Sequence, residues 1–183
     1  DLQGPKIRTN EMKNNGVLLK RDGIVTIGTE KVIGNENSFS INYSKLPTEV
    51  NPGERILLDD GKITLEVLST DRSKSFQAKV IHGGILSSKK GVNLPNTKIS
   101  MPSLTEKDIE DLSFALDQNV DWIGLSFVRC AKDIIELKKI IAAKKCKAKV
   151  IAKIEKPEAL SEIDEIIKES DGLMVARGDL GVE

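Results

Sequence analysis

The hydrophobic pattern of this chain changes once along its length, and that change constrains the fold more than any other feature. From about Asn10 to Ile85, short β-type runs recur, with turn signals such as Asp59-Asp60-Gly61 between them. From Thr105 onward, helical and strand-like patterns alternate instead. Many short strands with frequent turns indicate a small sandwich or barrel, whereas alternating β and α units indicate parallel strands. The sequence therefore predicts an α/β protein with a separate small all-β region.

The predicted elements follow this division. The β region is expected to contain strands at Val17–Lys20, Ile24–Ile27, Ser38–Ile41, Arg55–Leu58, Ile63–Val67 and Phe76–Ile81. The later region is expected to contain a helix capped by Thr105, a strand at Trp122–Val128, a helix at Ala131–Lys145, a strand at Val150–Ile154, a helix opened by Pro157 and a strand at Gly172–Val175. Polar residues at the carboxyl ends of parallel strands fit a (β/α) barrel.

A barrel of this type has eight strands and about 250 residues, which is more than the second region supplies. We therefore expect the chain to be an internal fragment that lacks both barrel edges. An open parallel sheet would expose unpaired backbone and apolar surface, so the barrel part is not expected to be stable by itself. The β region could fold alone.

The segment Val150-Ile-Ala-Lys-Ile-Glu155 carries the most specific chemical signal. Because side chains alternate across a strand, Lys153 and Glu155 share one face. A lysine in so apolar a strand loses hydration, at a cost of several kcal/mol unless a partner charge compensates it. Glu155 is one such partner. The functional interpretation is a catalytic site, and the structural alternative is a Lys and Glu salt bridge closed by a glycine turn.

A second acidic position follows about twenty residues later. The stretch Asp171–Ala176 is expected to form a short buried strand that breaks at Arg177-Gly178, where glycine permits a sharp turn, and leaves Asp179 at the strand's end. Glu155 and Asp179 could then close on one hard cation. Magnesium suits such a site, since it takes oxygen ligands and usually only one or two carboxylates.

Composition narrows the function classes. The chain has 28 basic and 28 acidic residues, so it shows no electrostatic footprint for nucleic acid or an anionic membrane. Its apolar runs all fall short of the roughly 18 residues that suggest a membrane span. His82 is the only histidine, which excludes a His-dependent triad built from this chain alone. Cys130 and Cys146 lack zinc-type or redox spacing, which suits a reducing compartment.

Two segments resemble active-site strings of a known family. Val150–Leu160 reads VIAKIEKPEAL and Met174–Glu183 reads MVARGDLGVE. Further segments resemble the same family in the right order, namely DLQGPKIRT (1–9), LDDG (58–61), KKGVNLP (89–95), LTEKDIED (104–111) and SFVR (126–129). On these motifs, which extend over essentially the whole chain, the sequence resembles the pyruvate kinases.

The resemblance implies a fold and a reaction. The fold is a partial TIM-type (β/α) barrel with an inserted small all-β barrel domain: residues 1–9 end one barrel strand, residues 10–92 form the inserted lid domain, and residues 93–183 supply about strands four to six. The reaction moves phosphoryl from phosphoenolpyruvate to ADP and gives pyruvate and ATP, the last step of glycolysis. The resemblance also implies a cytoplasmic enzyme whose parent is a homotetramer, while this fragment alone is expected to be inactive.

Residue roles come with the resemblance. Glu155 and Asp179 would hold Mg²⁺ or Mn²⁺, and Lys153 would stabilise the charge on the transferring phosphoryl and the enolate oxygen. The backbone amides of Gly178 and Asp179 are candidates for gripping the substrate carboxylate. Three further residues match family positions: Arg8 and Lys90, which would contact nucleotide phosphates, and Asp60, a lid residue. Surface solvation is the alternative for Arg8 and Lys90, and an ordinary hairpin turn is the alternative for Asp60.

One departure from the family pattern concerns the monovalent cation. Members that require potassium typically read Asp-Thr-Lys-Gly-Pro-Glu where this chain has Asp1-Leu2-Gln3-Gly4-Pro5-Lys6. Lys6 puts a fixed ammonium where K⁺ would otherwise serve, so we expect independence from potassium. Asp1 and Leu2 belong to the same region. Thr9 departs from the potassium-independent pattern, which usually has an aliphatic residue there.

Two other functions fit parts of the sequence. A different phosphoenolpyruvate or oxoacid lyase on a (β/α) barrel could also place a lysine and two carboxylates around Mg²⁺. The inserted β region and the KKGVNLP segment argue against that class. A ligand-binding module without catalysis is the other alternative, and binding without turnover would distinguish it.

Overall fold

The computed structural model describes residues 1–182, so Glu183, the last residue of the predicted barrel segment, lies outside the described residues. The described chain divides into two compact units. The β unit comprises Lys6–Ser100 together with Val182, and the α/β unit comprises Asp1–Pro5 and Met101–Gly181. The chain is a mixed α/β protein, as its hydrophobic pattern predicts. No helix of the described part is both long and apolar enough to cross a bilayer.

The β unit is built from short, mostly antiparallel strands. They are β1 (Gly16–Leu19), β2 (Ile24–Gly28), β3 (Ser38–Ser40), β4 (Arg55–Leu58), β5 (Ile63–Thr70), β6 (Ser75–His82), β7 (Gly84–Ser87) and β8 (Val92–Asn93). Six of them form a sheet in the order β3-β2-β6-β5-β4-β8, while β1 pairs with β7. A one-turn helix, α1 (Leu46–Glu49), and a 3₁₀ turn at Lys13–Asn15 complete the unit.

The alternation along β5 shows how this sheet makes its core. Ile63, Leu65 and Val67 are each at most 1% exposed, whereas Thr64 and Glu66 between them are only half-buried. Because successive side chains point to opposite faces, one face of the strand packs inward and the other stays partly accessible. Strand β5 also pairs on both sides, with β4 and β6. Within the unit, the backbone of β5 is therefore paired on both sides and its apolar face is buried.

The turn between β4 and β5 has a conformation that its sequence specifies. Asp60 and Gly61 have φ values of 56° and 81°, and the N–H of Lys62 donates to the carbonyl of Asp59 at 3.2 Å. Positive φ at both central residues is the signature of a type I′ turn, for which Asp-Gly is a preferred pair. Asp59 also has a positive φ, of 51°. The turn places two carboxylates next to each other at one end of the sheet.

All six strands predicted for the β region are present, with ends that differ by a few residues. Strands β7 and β8 were not predicted. Strand β7 follows β6 after Gly83 alone, so the two read as one run, and β8 has only two residues. Its pairing with β4 gives β8 its extended conformation, a tertiary contact that the local sequence does not reveal.

The α/β unit contains three strands and several helices in alternation. They are α2 (Glu106–Asp117), β9 (Trp122–Leu125), α3 (Ala131–Ala143), β10 (Lys149–Ile154), α4 (Glu158–Ser161), α5 (Ile163–Glu169), β11 (Gly172–Val175) and α6 (Arg177–Leu180). The strands are parallel and lie in the order β11-β10-β9. Parallel strands bring their carboxyl ends to the same edge of the sheet, so the residues that follow β9, β10 and β11 come together there.

Helix α2 begins where the sequence predicts. The Thr105 hydroxyl accepts the N–H of Asp108 at 3.1 Å, and the Asp108 carboxylate accepts the N–H of Thr105 at 2.9 Å. This reciprocal capping box satisfies two amides at the start of the helix. The buried core of the unit lies between the helices and the sheet and includes Leu112, Leu116, Ile123, Leu125, Ile134, Leu137, Val150, Ala152, Ile154 and Ile166.

Two predicted elements of this unit end earlier than expected. The strand predicted to reach Val128 stops at Leu125, because the chain leaves the sheet at Phe127, whose φ is 54°. Helix α3 stops at Ala143, and Lys145, predicted to be its last residue, has a φ of 57°. Such left-handed residues cannot continue a strand or a right-handed helix.

The prediction for β11 was wrong in one respect. The strand has the predicted bounds, Gly172–Val175, but it is not buried. Leu173, Met174 and Val175 are 42%, 46% and 59% exposed. Within the described residues β11 pairs only with β10, so one side of its backbone has no strand neighbour and about half of its apolar side-chain surface is accessible. The helix predicted after Pro157 is also divided, into α4 and α5.

Candidate functional site

The centre of the candidate site is the pair of charged side chains near the end of β10. The ammonium of Lys153 lies 2.9 Å from Oε1 of Glu155, so the two residues share a face as predicted. The Lys153 side chain is 14% exposed and that of Glu155 only 2%. Val150, Ala152 and Ile154 occupy the opposite, buried face. A lysine and a carboxylate this close to a core require further polar partners.

Lys153 has three oxygen neighbours. Besides Glu155, its Nζ lies 3.1 Å from the Ser126 hydroxyl and 3.2 Å from Oδ2 of Asp1. An ammonium offers three donors, and each of these oxygens can accept one. The arrangement holds the ammonium between two carboxylates and a hydroxyl. Asp1 is exposed, so its carboxylate is the neighbour that an incoming anion can most readily replace.

Glu155 is held from a second direction by a backbone amide. The N–H of Phe127 donates to Oε2 of Glu155 at 2.8 Å, while Lys153 occupies Oε1. Each carboxylate oxygen has about two acceptor positions, and the contacts within residues 1–182 named here use one on each oxygen. The carboxylate is thus oriented by the protein.

The first residues of the chain lie beside β9 and complete this surrounding. Leu2 donates its N–H to the carbonyl of Gly124 at 2.9 Å and accepts the Ser126 hydroxyl at 2.7 Å. The N–H of Gly4 donates to Oδ1 of the fully buried Asp108 at 3.1 Å. Asp1 and Leu2, which the resemblance assigned to a monovalent-cation region, are therefore part of the surroundings of Lys153, Asp1 by direct contact and Leu2 through Ser126.

Asp179 and Gly178 follow the neighbouring strand. Ile154 of β10 is the register partner of Val175 in β11, and the N–H of Ala176 donates to the Ile154 carbonyl at 3.1 Å. The strand ends just before Arg177-Gly178 as predicted, and the turn that follows it is a one-turn helix, Arg177–Leu180, in which Gly178 does not have a positive φ. Since the first helical hydrogen bond there is donated by Leu180, the amides of Gly178 and Asp179 precede it and do not donate within the helix.

The donor set is compatible with a hard cation that uses few protein ligands. Within residues 1–182 there is no group of three or more His, Cys, Asp or Glu residues arranged to hold a metal. Magnesium usually takes only one or two carboxylates and fills its remaining positions with water and substrate oxygens. Glu155, and Asp179 after the adjacent strand, supply ligands of that type, so the residues fit Mg²⁺ or Mn²⁺ and do not fit a closed zinc site.

The candidate nucleotide residues lie in the β unit. Arg8 pairs with Gly91 through the backbone, and its Nη1 donates to the Lys89 carbonyl at 2.8 Å. The Lys90 ammonium lies 2.8 Å from Oδ1 of Asp59. Arg8 and Lys90 therefore come from adjacent segments of the β unit.

Asp59 is a contact that the sequence analysis missed. Its side chain is 14% exposed and binds both Lys90 and Lys62, the latter at 3.2 Å. The hydrogen bond from Lys90, followed by that from Lys62, lowers the pKa of the Asp59 carboxyl below its usual value. The predicted lid residue, Asp60, is the next residue and lies exposed in the type I′ turn. Two adjacent aspartates thus differ: one neutralises Lys90, and the other faces solvent.

Lys6, the residue on which the potassium hypothesis depends, is half-buried in the β unit. Its carbonyl accepts the side-chain amide of Asn42 at 3.3 Å.

Ser126 and Phe127 were also missed as site residues, although they stand in the SFVR string that carried part of the resemblance. A hydroxyl and a backbone amide have no distinctive sequence signal, so only their distances to Lys153 and Glu155 identify them.

Comparison with known proteins agrees with these observations. The family model described as "Pyruvate kinase, barrel domain" matches residues 1–183. The chain is 44% identical over 184 residues to a pyruvate kinase of Staphylococcus aureus (strain MRSA252), and 44% identical over 185 residues to one of Geobacillus stearothermophilus. Each match covers the whole of this chain and 32% of the relative. The chain therefore spans about a third of the length of the curated relatives it matches.

Proposed function

Because this chain belongs to the pyruvate kinase family, we propose that the protein carrying it transfers phosphoryl from phosphoenolpyruvate to ADP and yields pyruvate and ATP. The supporting observation is the pair of Lys153 and Glu155, 2.9 Å apart near the carboxyl end of a parallel strand. The reaction is the last step of glycolysis, which places the enzyme in the cytoplasm. The assembled enzyme is proposed to be a homotetramer by the same resemblance.

Lys153 has the principal catalytic role in this proposal. Its ammonium is held by three oxygens, so it needs little rearrangement before it interacts with a substrate anion. Negative charge develops on the transferring phosphoryl group and on the enolate oxygen, and a preoriented cation stabilises both. Exchange of the exposed Asp1 carboxylate for the substrate would keep the ammonium paired throughout.

Glu155 and Asp179 are the proposed ligands of Mg²⁺ or Mn²⁺. When bound, the metal would act as an orienting Lewis acid that screens the phosphate and carboxylate oxygens. The amides of Gly178 and Asp179 are proposed to bind the substrate carboxylate. Both amides precede the first hydrogen bond of α6, which leaves them available as donors.

The β unit is proposed to serve the nucleotide and the closure of the site. Arg8 and Lys90 would contact nucleotide phosphates, with Lys90 exchanging its ion pair with Asp59 for a phosphate oxygen. Asp60 would approach the active site on closure. The proposed architecture is a TIM-type barrel, contributed here by residues 1–9 and 93–183, with residues 10–92 inserted as a small β-barrel lid. The exposed edge at β11 is what a barrel sheet that continues past this strand would present.

The first test is ATP formation from phosphoenolpyruvate and ADP with Mg²⁺ by the full-length protein that carries these residues. Lys153→Met should lower kcat by roughly 10²-fold to 10³-fold or more, since it removes one charge-stabilising donor. Lys149→Met is the matched control, because Lys149 lies on the same strand but is exposed and contacts Trp122. Absence of activity in the unsubstituted protein would contradict the proposal and favour the lyase class.

The same assay addresses potassium. If Lys6 replaces the monovalent cation, activity should be the same with and without K⁺, and Lys6→Glu should create activation by K⁺. Strong activation of the unsubstituted protein by K⁺ would contradict this.

The 183 residues alone should bind ligands weakly and show no turnover, because they make up about a third of the length of the relatives.

A further inference from the structure

Phe127 has a backbone conformation that its side chain disfavours. Its φ of 54° lies in the left-handed region, which bulky residues rarely enter. In the described part of the chain, the other non-glycine residues with positive φ are all polar, namely Asn14, Asn15, Asp22, Asp59, Asp60, Arg72, Lys89, Asn119 and Lys145. Phe127 is therefore the apolar exception. Such a conformation persists only where the surroundings impose it, and it is often found at functional sites.

The conformation gives Phe127 a specific contact. Its N–H points at Oε2 of Glu155, 2.8 Å away, and Glu155 is almost completely buried. The residue before it, Ser126, places its hydroxyl 3.1 Å from the ammonium of Lys153. Two consecutive residues thus hold the two charged groups of the candidate site, one through a side chain and one through the backbone.

The left-handed turn is packed from its other side by Gly4. A Cβ added at Gly4 would lie 2.9 Å from Cδ2 of Phe127 and 3.3 Å from the carbonyl oxygen of Ser126. Gly4 itself has a φ of 70°, and its N–H donates to the buried Asp108 that caps α2. The turn is therefore fixed by the end of β9, by Gly4 and by Glu155 together.

We propose that Phe127 is a positioning residue whose left-handed backbone directs its amide to Oε2 of Glu155 and so orients this carboxylate for a divalent cation. The inference rests on the proposed function, in which Glu155 is a ligand of Mg²⁺ or Mn²⁺. With Lys153 on Oε1 and the Phe127 amide on Oε2, both carboxylate oxygens are held and the carboxylate cannot rotate freely. Groups that orient a metal ligand in this way typically change metal affinity about 10-fold to 100-fold when removed.

The test replaces the Phe127 amide by an ester. Phenyllactic acid incorporated at position 127 of the full-length protein keeps the side chain and removes only the N–H. Mn²⁺ binding, followed by electron paramagnetic resonance without substrates, should weaken by about 10-fold or more in Kd. Phenyllactic acid at Phe114, an exposed residue of α2, is the matched control and should change the Kd less than twofold. An unchanged Kd in the position 127 ester, or an equal change in both esters, overturns the inference.

Ordinary substitutions provide a second measurement. Phe127→Gly keeps the amide and accepts a positive φ, so its Kd for Mn²⁺ should stay within about twofold of the unsubstituted protein. Phe127→Val keeps the amide but disfavours the left-handed conformation, so its Kd should rise by about fivefold or more. Equal weakening in both variants would assign the effect to the aromatic ring and overturn the inference.

The Glu155→Gln variant distinguishes a failure of the proposed metal site from a failure of the proposed role of Phe127. If this variant binds Mn²⁺ as well as the unsubstituted protein does, Glu155 is not a metal ligand and the proposed metal site itself fails. If Glu155→Gln loses Mn²⁺ while the position 127 ester retains it, the metal site stands and the role of Phe127 is wrong.

Discussion

Strands β5 and β11 both carry large apolar side chains but have opposite surroundings. Leu65 and Val67 of β5 are at most 1% exposed, whereas Leu173 and Met174 of β11 are 42% and 46% exposed. Strand β5 pairs with neighbours on both sides, and in the described part of the chain β11 pairs only with β10. The comparison shows that an apolar strand is buried by what lies beside and above it, and not by its own composition. The β unit places β5 in the middle of its sheet, while the α/β unit has β11 at the edge of its sheet.

The largest change in the free energy of unfolding is expected for a substitution in the core of the β unit. Leu65→Ala should lower the free energy of unfolding of this unit by about 2–5 kcal/mol, because it leaves a cavity beside a fully buried strand. Leu173→Ala, the matched change on β11, should cost less than about 1 kcal/mol, because Leu173 is already half exposed. Urea titration monitored at Tyr43, the only tyrosine and a residue of the β unit, measures the first change. Equal losses of unfolding free energy in the two variants would show that β5 and β11 do not differ in this respect.

The next effect concerns the polar contacts of the α/β unit. Asp108 is fully buried and accepts hydrogen bonds from Gly4 and Thr105. Asp108→Ala removes a helix cap and leaves buried donors without partners, which should cost about 2–3 kcal/mol. Asp111→Ala on the same helix removes only an exposed pair with Lys107 and should cost about 0.5 kcal/mol or less. Fluorescence of Trp122, the chain's only tryptophan, follows unfolding of this unit.

A smaller, pH-dependent effect concerns the start of β10 and β11. Asp171 accepts the N–H of Val150 at 2.8 Å and pairs with Lys138 at 3.2 Å, and the hydrogen bond from Val150 is the main cause of its lowered pKa. A carboxyl whose pKa is lower when folded contributes stability above its unfolded pKa of about 3.9 and loses it as the pH falls through the folded value. Asp171→Asn should therefore flatten the acid limb of the stability curve of the α/β unit below about pH 5.

The control for this prediction is Asp121→Asn, which changes an exposed carboxylate in the same unit. Because Asp171 is about one-third exposed, solvent screening limits the gain at neutral pH to about 1 kcal/mol or less. An acid limb that is the same in the Asp171→Asn variant and in the unsubstituted chain would show that the link between β10 and β11 does not depend on this carboxylate.

The smallest effect is a titration in the β unit. Asp71 follows β5 and accepts the N–H groups of Ser73, Lys74 and Ser75, and backbone hydrogen bonds from Ser75 and Ser73 are the main reason its pKa is lowered to about 2. Carboxyl carbon shifts in NMR should place its midpoint near this value. In Ser73→Pro one of these donors is lost, so the midpoint should move up. A midpoint near the ordinary 3.9 in the unsubstituted chain would mean that the turn is not closed in solution.

Local patterns predicted those parts of the fold that depend on nearest neighbours. The bounds of β4 and β11 were predicted to the residue, and so was the shared face of Lys153 and Glu155, because strand alternation is a local property. The cap of α2 at Thr105 was predicted for the same reason, since its partner is three residues away. The division into regions came from the change in period near Thr105.

What the sequence missed involves partners that are distant along the chain. Phe127 meets Glu155 across 28 residues, Ser126 meets Leu2 across 124, and Lys90 meets Asp59 in the β unit. The exposure of β11 is of the same kind, because burial requires a neighbour that the local pattern cannot supply. At Gly178 the sequence predicted a turn but not its form, because glycine permits several backbone conformations, and the structure has a one-turn helix there.

The sequence by itself determined the family, the alternation of elements and the residue types at the candidate site, since these follow from local periodicity and from motifs. Only the tertiary structure decided which groups hold Lys153 and Glu155, and in which orientation. The physical reason is that a hydrogen bond forms only within about 3 Å and over a narrow range of angles. Whether Ser126, Phe127 and Gly4 satisfy that condition depends on the packing of β9, β10 and the first five residues, which no local pattern encodes.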